Sequence, residues 1–245
     1  MVDKEGSADS ERLKTEIKME IEGGSQIFLD YDGTLVPIII DPEKCYAPQS
    51  LKEILFKLSK KYELYIVSGR QIKELKDFIG LDINLIGMHG AVAYVDGKEI
   101  PLVKDFYEYA SKIEKVKEMN LQEKYEGLRV YDKSSGILFH LGLVNRNLWD
   151  KIRNEIESTA LKYNMELYYG KQIIELKIPG VNKGDAIRRF RNGKPCLIAG
   201  DEETDESGFI KCPECLSIHV GEGHTHAKYR VKNVEEFLSL LKALC

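Results

Sequence analysis

The run Gln26-Ile27-Phe28-Leu29-Asp30-Tyr31-Asp32-Gly33-Thr34 constrains this chain more than any other segment. It is nearly all apolar until acids interrupt it, so a strand made from it must be buried on both faces. Strands of that kind belong to parallel sheets covered by helices. Such sheets bind ligands at the carboxyl ends of their strands. Asp30 and Asp32 are therefore placed where a ligand is expected.

The next segments repeat the pattern. Leu51, Ile54, Leu55 and Leu58 fall at helical spacing and predict a helix over 51–60. Residues 64–67 read as a second buried strand, stopped by Ser68-Gly69-Arg70. A helix over 71–79 and a third strand over 83–88 follow. This alternation predicts an α/β fold, with a Rossmann-like doubly wound parallel sheet as its core.

Near residue 101 the pattern changes. Helices over 107–121 and 148–163 each precede a hairpin. The first pairs 129–131 with 137–141 around Lys133-Ser134-Ser135-Gly136; the second pairs 167–169 with 173–178 around Gly170-Lys171. One helix before each hairpin predicts an inserted α+β domain over 101–179. A helix over 183–190, strands over 196–199 and 217–220 and a helix over 234–244 restore the first pattern. The core is thus expected from 25–100 and 180–245. Residues 1–24 are polar and offer little apolar surface, which predicts a tail or a loosely docked short helix over 10–21.

Composition narrows the function. At 43% hydrophobic residues the chain can build a core without a disulfide scaffold. A net charge of -4 gives no electrostatic footing for nucleic acid. No stretch approaches the roughly 18 apolar residues of a membrane span, and the N-terminus lacks the apolar core of a signal peptide. Cys45, Cys196, Cys212, Cys215 and Cys245 are accordingly expected to be reduced thiols of a cytoplasmic protein. Cys212-Pro213-Glu214-Cys215 has CxxC spacing but no second pair of that kind for zinc, although His219, His224 and His226 follow closely. It is expected to be a loop closing the helix that starts near Glu203.

Hydrolysing a phosphate monoester takes a nucleophile, an acid for the leaving oxygen and positive charge around the phosphoryl oxygens. Of Asp30 and Asp32, one carboxylate can attack phosphorus and the other can move the proton. An EF-hand loop is excluded because a strand precedes the acids and no position-12 glutamate follows. Ser68-Gly69-Arg70 ends the second strand with a hydroxyl, a backbone N–H and a guanidinium. Lys183 starts a helix after Asn182, where ammonium and helix dipole can face one phosphate together. Gly200-Asp201-Glu202-Glu203-Thr204-Asp205 ends a further strand with acids suited to Mg²⁺. Each has an ordinary structural explanation alone, as a turn or a helix start; four at successive element ends are far more specific.

The segments DYDGTL, SGR, the lysine of NKGDAI and GDEETDE, in that order, resemble the four motifs of haloacid dehalogenase phosphatases. The finer pattern, with His89-Gly90-Ala91 and Val181-Asn182-Lys183-Gly184, is similar to the trehalose-6-phosphate phosphatase family over residues 26–228. The resemblance implies that Asp30 is the nucleophile and Asp32 the general acid/base. It implies Mg²⁺ held by the Asp30 carboxylate, the Asp32 carbonyl and Asp201, with Glu202 and Asp205 behind them. Ser68, Gly69 and Lys183 would hold phosphate, and Arg70, His89, Gly90 and Asn182 would contact substrate. The inserted domain would be a cap offering Lys133, His140 and Glu175 to the sugar hydroxyls. The implied partner is a small sugar phosphate, with no nucleic acid and no membrane; a monomer is the default expectation.

The departures are informative. The family usually has a second aspartate where Glu202 stands, and asparagine where Met88 stands. Its cap pattern Glu-x-Lys, then His-Tyr-Arg, meets Tyr131-Asp132-Lys133 and His140-Leu141-Gly142 here. Lys133 and His140 match; Tyr131 and Gly142 do not. Another sugar phosphate, of the sucrose, mannosylglycerate or glucosylglycerate type, is the competing expectation. A non-catalytic binding subunit would be signalled by loss of a motif acid, and both acids are retained.

Overall fold

The computed structural model describes residues 4–39, 41–133, 135–170 and 172–245. Ser134 and Lys171, which the sequence places in the two hairpin turns, and residues 1–3 of the expected tail lie outside the described residues. The chain divides into two compact units, Met1–Ile100 with Asn182–Cys245, and Pro101–Val181.

The first unit begins with helix α1 (Lys4–Glu20), followed by β1 (Gln26–Asp30), α2 (Gln49–Lys61), β2 (Glu63–Val67), α3 (Ile72–Ile79) and β3 (Asn84–Gly87). Two short strands follow, β4 (Val92–Val95) and β5 (Lys98–Pro101). The second unit holds α4 (Phe106–Lys117), α5 (Leu121–Lys124), β6 (Arg129–Asp132), β7 (Gly136–His140), α6 (Trp149–Tyr163), β8 (Glu166–Gly170) and β9 (Ile173–Lys177). The chain then completes the first unit with α7 (Lys183–Phe190), β10 (Cys196–Gly200), α8 (Glu203–Lys211), β11 (Leu216–Val220), β12 (Tyr229–Val231) and α9 (Val234–Leu244).

The large sheet has the order β12-β11-β10-β1-β2-β3-β4-β5. Strands β12 through β3 pair in parallel; β4 turns back antiparallel on β3. The order runs outward from β1 in both directions, so the topological switch point lies at β1 and its neighbour β10. All five residues of β1 are buried, as its apolar run demands. Phe28 stacks on Tyr65 of β2 at 4.8 Å between ring centroids. The buried amide of Gln26 fixes the far end of β1: it donates to the Phe190 carbonyl and accepts from Arg191 and the Asn192 N–H.

The second unit is a four-stranded antiparallel sheet, β6-β7-β9-β8, with α4 and α6 against it. Ile137 and Phe139 of β7 and Ile174 and Leu176 of β9 share the buried face, packed with Ile113, Val116, Ile152 and Ile156 of the helices. Leu138, His140, Ile173 and Glu175 alternate to the other face.

Three expectations need correction. Of the tail and the short helix over 10–21, the described residues form the helix, longer than expected and docked: α1 contacts α9 and buries Leu13 and Ile17, with Ile21 just beyond its end. Their i, i+4, i+8 spacing forms a stripe that low overall apolar content hides. The expected helix over 107–121 breaks after Lys117, with Asn120 in the left-handed region at φ 47° starting α5. The cysteines are not all thiols: Cys196 and Cys215 form a disulfide, bridging the starts of adjacent parallel strands β10 and β11. Cys215 is thereby unavailable as a thiolate, so Cys212 and Cys215 cannot act together as zinc ligands; Cys45, Cys212 and Cys245 are free.

Candidate active site

Register alone brings the sequence motifs together. Asp30, the last residue of β1, pairs with Val67, the last of β2, and Leu29 pairs with Ala199, one short of the end of β10. The loops leaving three adjacent parallel strands therefore start side by side with Asp30 at the centre. One carries Gly33 and Thr34, one Ser68-Gly69-Arg70 and one Asp201-Glu202.

Asp30 is 4% exposed. Its Oδ1 accepts from the Lys183 ammonium at 2.7 Å, while its Oδ2 is buried without a hydrogen-bond partner. Lys183, 1% exposed, also donates to Asp205 at 2.8 Å and to Glu202 at 3.2 Å. It is delivered by the first turn of α7, where the Asn182 side chain accepts from the Asp185 N–H as the cap. Gly184 allows α7 to approach α8: a Cβ there would lie 2.2 Å from the Ser207 carbonyl oxygen.

The acids after β10 are both a helix start and part of the site. Glu202 and Asp205 form a capping box at the N-terminus of α8. One oxygen of Asp205 takes the N–H groups of Asp201 and Glu202, both at 3.1 Å, and the other takes Lys183. Asp201 instead accepts from Thr34 at 3.0 Å. Gly33 has φ 85°, and a Cβ on it would come within 2.0 Å of the Asp201 carboxylate, so only glycine fits this turn. The turn that Gly33 permits is legible in the sequence; the role of Thr34 is not, its one signal being its position directly after that turn.

Electrostatics follow from the count. Asp30, Asp201, Glu202 and Asp205 are four carboxyl groups near one ammonium, which would leave an excess of three negative charges if all four were ionised. Burial pushes Asp30 well above the usual carboxylate range, with Lys183 opposing and Asp205 and Asp201 adding to the rise. Burial also raises Asp201 and Asp205. At Glu202 burial acts upward, but Lys183 and Thr204 outweigh it and lower the pKa. For Lys183 burial acts downward, while Asp205, Asp30 and Glu202 prevail and hold it well above an ordinary lysine.

These residues fit a hard divalent cation. Ligand atoms of Asp30, Asp201 and Asp205 lie within 4.8 Å of one another, and the orphaned Asp30 Oδ2 is a ready oxygen donor. Both oxygens of Asp205 are already engaged, which leaves Asp30 and Asp201 as the freer pair.

Asp32 is separate from this cluster in its bonding. Its two oxygens accept from Arg70 Nε at 2.6 Å and Nη2 at 2.7 Å. Ser68 is buried, and its hydroxyl accepts from the Arg70 N–H at 3.2 Å. Met88 and His89 both have φ 54°, a left-handed pair for which non-glycine residues carry a steric cost. The turn folds the His89 ring onto Gly69, where a Cβ would lie 2.5 Å from Nε2. The ring also lies near enough to Glu202 to lower its pKa. Gly90 lets the same turn meet α7, since a Cβ there would lie 2.6 Å from the Asn182 carbonyl oxygen. Lys133, His140 and Glu175 belong to the second unit. Glu175 faces Leu138 across β7 and Tyr168 across β8, and shares its sheet face with His140; Lys133 is exposed at the hairpin after β6.

The family model described as trehalose-phosphatase matches residues 28–242. A trehalose-6-phosphate phosphatase-related protein from Thermoplasma acidophilum is 43% identical over 218 residues, covering 88% of this chain and 95% of that protein. Among solved structures, a trehalose-6-phosphate phosphatase related protein superposes with a TM-score of 0.78 at 42% identity, over 90% of this chain and 96% of the other. The C-terminal domain of the C. albicans trehalose-6-phosphate phosphatase shares the fold at a TM-score of 0.74 and 23% identity, over 96% of each chain. The chain thus belongs to the trehalose-phosphatase family, phosphoric monoester hydrolases built on the haloacid dehalogenase-like α/β fold.

Proposed function

We propose that this protein is a magnesium-dependent phosphatase that hydrolyses trehalose 6-phosphate to trehalose and phosphate through an aspartyl phosphate on Asp30. The observation that carries the reading is the state of Asp30. It is a buried carboxylate at the end of the central strand, with one oxygen on a buried ammonium and the other without a partner. Keeping such a group buried is costly unless it has work to do. When bound, Mg²⁺ supplies positive charge to the phosphoryl oxygens, held by Asp30 and Asp201.

In the first half of the reaction an Asp30 oxygen attacks phosphorus and the P–O bond to the sugar breaks. Its electron pair leaves with the sugar oxygen, which takes a proton from Asp32. In the second half water attacks the aspartyl phosphate, Asp30 leaves with the electron pair, and Asp32 takes the proton from water. Lys183 and the Ser68-Gly69 turn hold the phosphoryl group meanwhile. Lys133, His140 and Glu175 are proposed to select the sugar.

A second reading, another disaccharide or glycoside phosphate, is favoured by one observation. The family arginine is replaced by Gly142, and the space a side chain there would take is filled by His140 and Gln172, which lie 2.6 Å and 2.8 Å from the position of a Cβ and would have to shift to admit one. Phosphate release from a panel of sugar phosphates with Mg²⁺ decides between them. Trehalose 6-phosphate is expected to give the highest kcat/KM; preference for another ester by orders of magnitude would overturn the trehalose reading. Asp30→Asn is expected to abolish turnover of every ester, and chelation to abolish it reversibly. A cytoplasmic location is proposed with this function; among the described residues no helix is long and apolar enough to cross a membrane.

A further inference from the structure

The two acids of the β1 loop have different cations. Lys183 serves Asp30, whereas Arg70 serves Asp32. The sequence suggests Arg70 as a substrate ligand, a group reaching for an anion or a sugar. Its surroundings suggest something else. The side chain is 13% exposed, and Nε and Nη2 are both spent on Asp32. Nη1 lies 3.7 Å from Glu74, and the guanidinium rests over the Phe78 ring at 4.8 Å. The backbone is fixed as well: the Arg70 N–H donates to Ser68 Oγ, and its carbonyl accepts from the Met88 N–H at 2.9 Å. A guanidinium held by an acid on two sides, an aromatic face and two backbone bonds is a rigid clamp.

We infer that Arg70 is a positioning residue for Asp32, whose two-point grip sets the Asp32 carboxylate for the water-activating half of the reaction. The inference rests on the phosphatase reading above. In the first half Asp32 gives up its proton as the bond from phosphorus to the leaving oxygen breaks. What remains is a carboxylate, the form that a two-point grip recognises best. In the second half that carboxylate must be held at one angle to accept the proton of the attacking water. The bond from phosphorus to Asp30 breaks at the same time, its electron pair returning to Asp30. A guanidinium on both oxygens fixes the plane of the acceptor, a restraint that a freely rotating carboxylate lacks. Removing the grip therefore slows the second half more than the first, and the aspartyl phosphate builds up.

Rapid-quench kinetics with p-nitrophenyl phosphate and Mg²⁺ test this, because the burst reports the first half and the steady state reports the second. In Arg70→Met the ratio of burst rate to steady-state rate is expected to rise at least about tenfold over the wild type, part of the roughly hundredfold or more that proton transfer contributes, because the base is misplaced and not removed. Arg70→Lys keeps the charge but not the fork, and is expected to fall between the two. It also keeps the test open should Arg70→Met fail to fold, which circular dichroism shows. An unchanged ratio with a raised KM and weaker inhibition by inorganic phosphate would make Arg70 a substrate ligand and overturn the inference. So would an equal loss in both halves. Absence of turnover in the wild type overturns the phosphatase reading and this one with it; normal wild-type turnover with an unchanged ratio overturns this one alone.

Discussion

Lys183→Met leaves the carboxylates of Asp30, Asp201, Glu202 and Asp205 together without their ammonium. At 2.8 Å and an effective dielectric of about 20, each close contact of Lys183 is worth about 6 kcal/mol before desolvation. Burying the ammonium and its partners consumes most of that. Experience with buried pairs puts the net cost of removing one partner at about 3–5 kcal/mol. For a chain of this length the loss corresponds to a fall in Tm of about 6–20 °C. The cost must also depend on pH. Asp30, Asp201 and Asp205 already have raised pKa values, and without Lys183 Asp30 and Asp205 rise further. A carboxylate whose folded pKa exceeds its unfolded value keeps its stability at low pH and loses it as pH rises through the folded pKa. Lys183 itself stays charged in the folded wild type well past the ordinary lysine value, so it contributes across the whole carboxylate range. The gap between variant and wild type is thus expected to be widest at about pH 8 and to close as pH falls toward the ordinary carboxylate range. Thermal melts by circular dichroism in chelator, taken across that range, measure it. A variant destabilised equally at both ends, or stabilised at the alkaline end, would refute the idea that Lys183 neutralises a surplus of buried acid.

Asp30→Asn reverses that sign: in chelator it is expected to melt above the wild type at alkaline pH, with the difference vanishing as pH drops, because it removes the acid with a strongly raised pKa. Gly33→Ala puts a methyl group against Asp201 and forces a positive φ on alanine; half-saturating Mg²⁺ in the phosphatase assay is expected to rise by about 10–100-fold, the range for disturbed metal-ligand support. Ile17→Ala empties a site only 2% exposed between α1 and the rest of its unit; it is expected to cost about 2–5 kcal/mol in chemical denaturation with kcat unchanged, and a neutral result would show that α1 docks weakly.

The parts of the fold most legible in the sequence are those where burial writes itself into composition. The runs ending at Asp30 and Val67 are apolar because both faces of a parallel strand are covered, and the helices at 183–190 and 234–244 show their apolar stripes with both ends marked. Two strands that the sequence does not reveal lack that imprint. β5 carries three exposed residues at the sheet edge, and β12 is three residues long. The apolar content of α1 conceals its buried face, since its stripe of Leu13 and Ile17, continued by Ile21, is a matter of spacing alone. In the candidate site, Asp30, Lys183, Asp201 and Asp205 carry recognisable local motifs. The pairing of Arg70 with Asp32, 38 residues apart, exists only once β1 and β2 lie in register. The disulfide is hidden in the same way: Cys196 and Cys215 are 19 residues apart and become neighbours only through the β10–β11 ladder.

The ion pair between Asp30 and Lys183 joins residues 153 positions apart, with the whole second unit between them. The nucleophile candidate is thus synthesised well before its counter-charge and the acids of α8. A chain cut short anywhere before Lys183 carries Asp30 with none of them. Fragments of the first hundred residues are therefore expected to be silent toward phosphate esters, and turnover of such esters reports a chain that has been extended at least through α8.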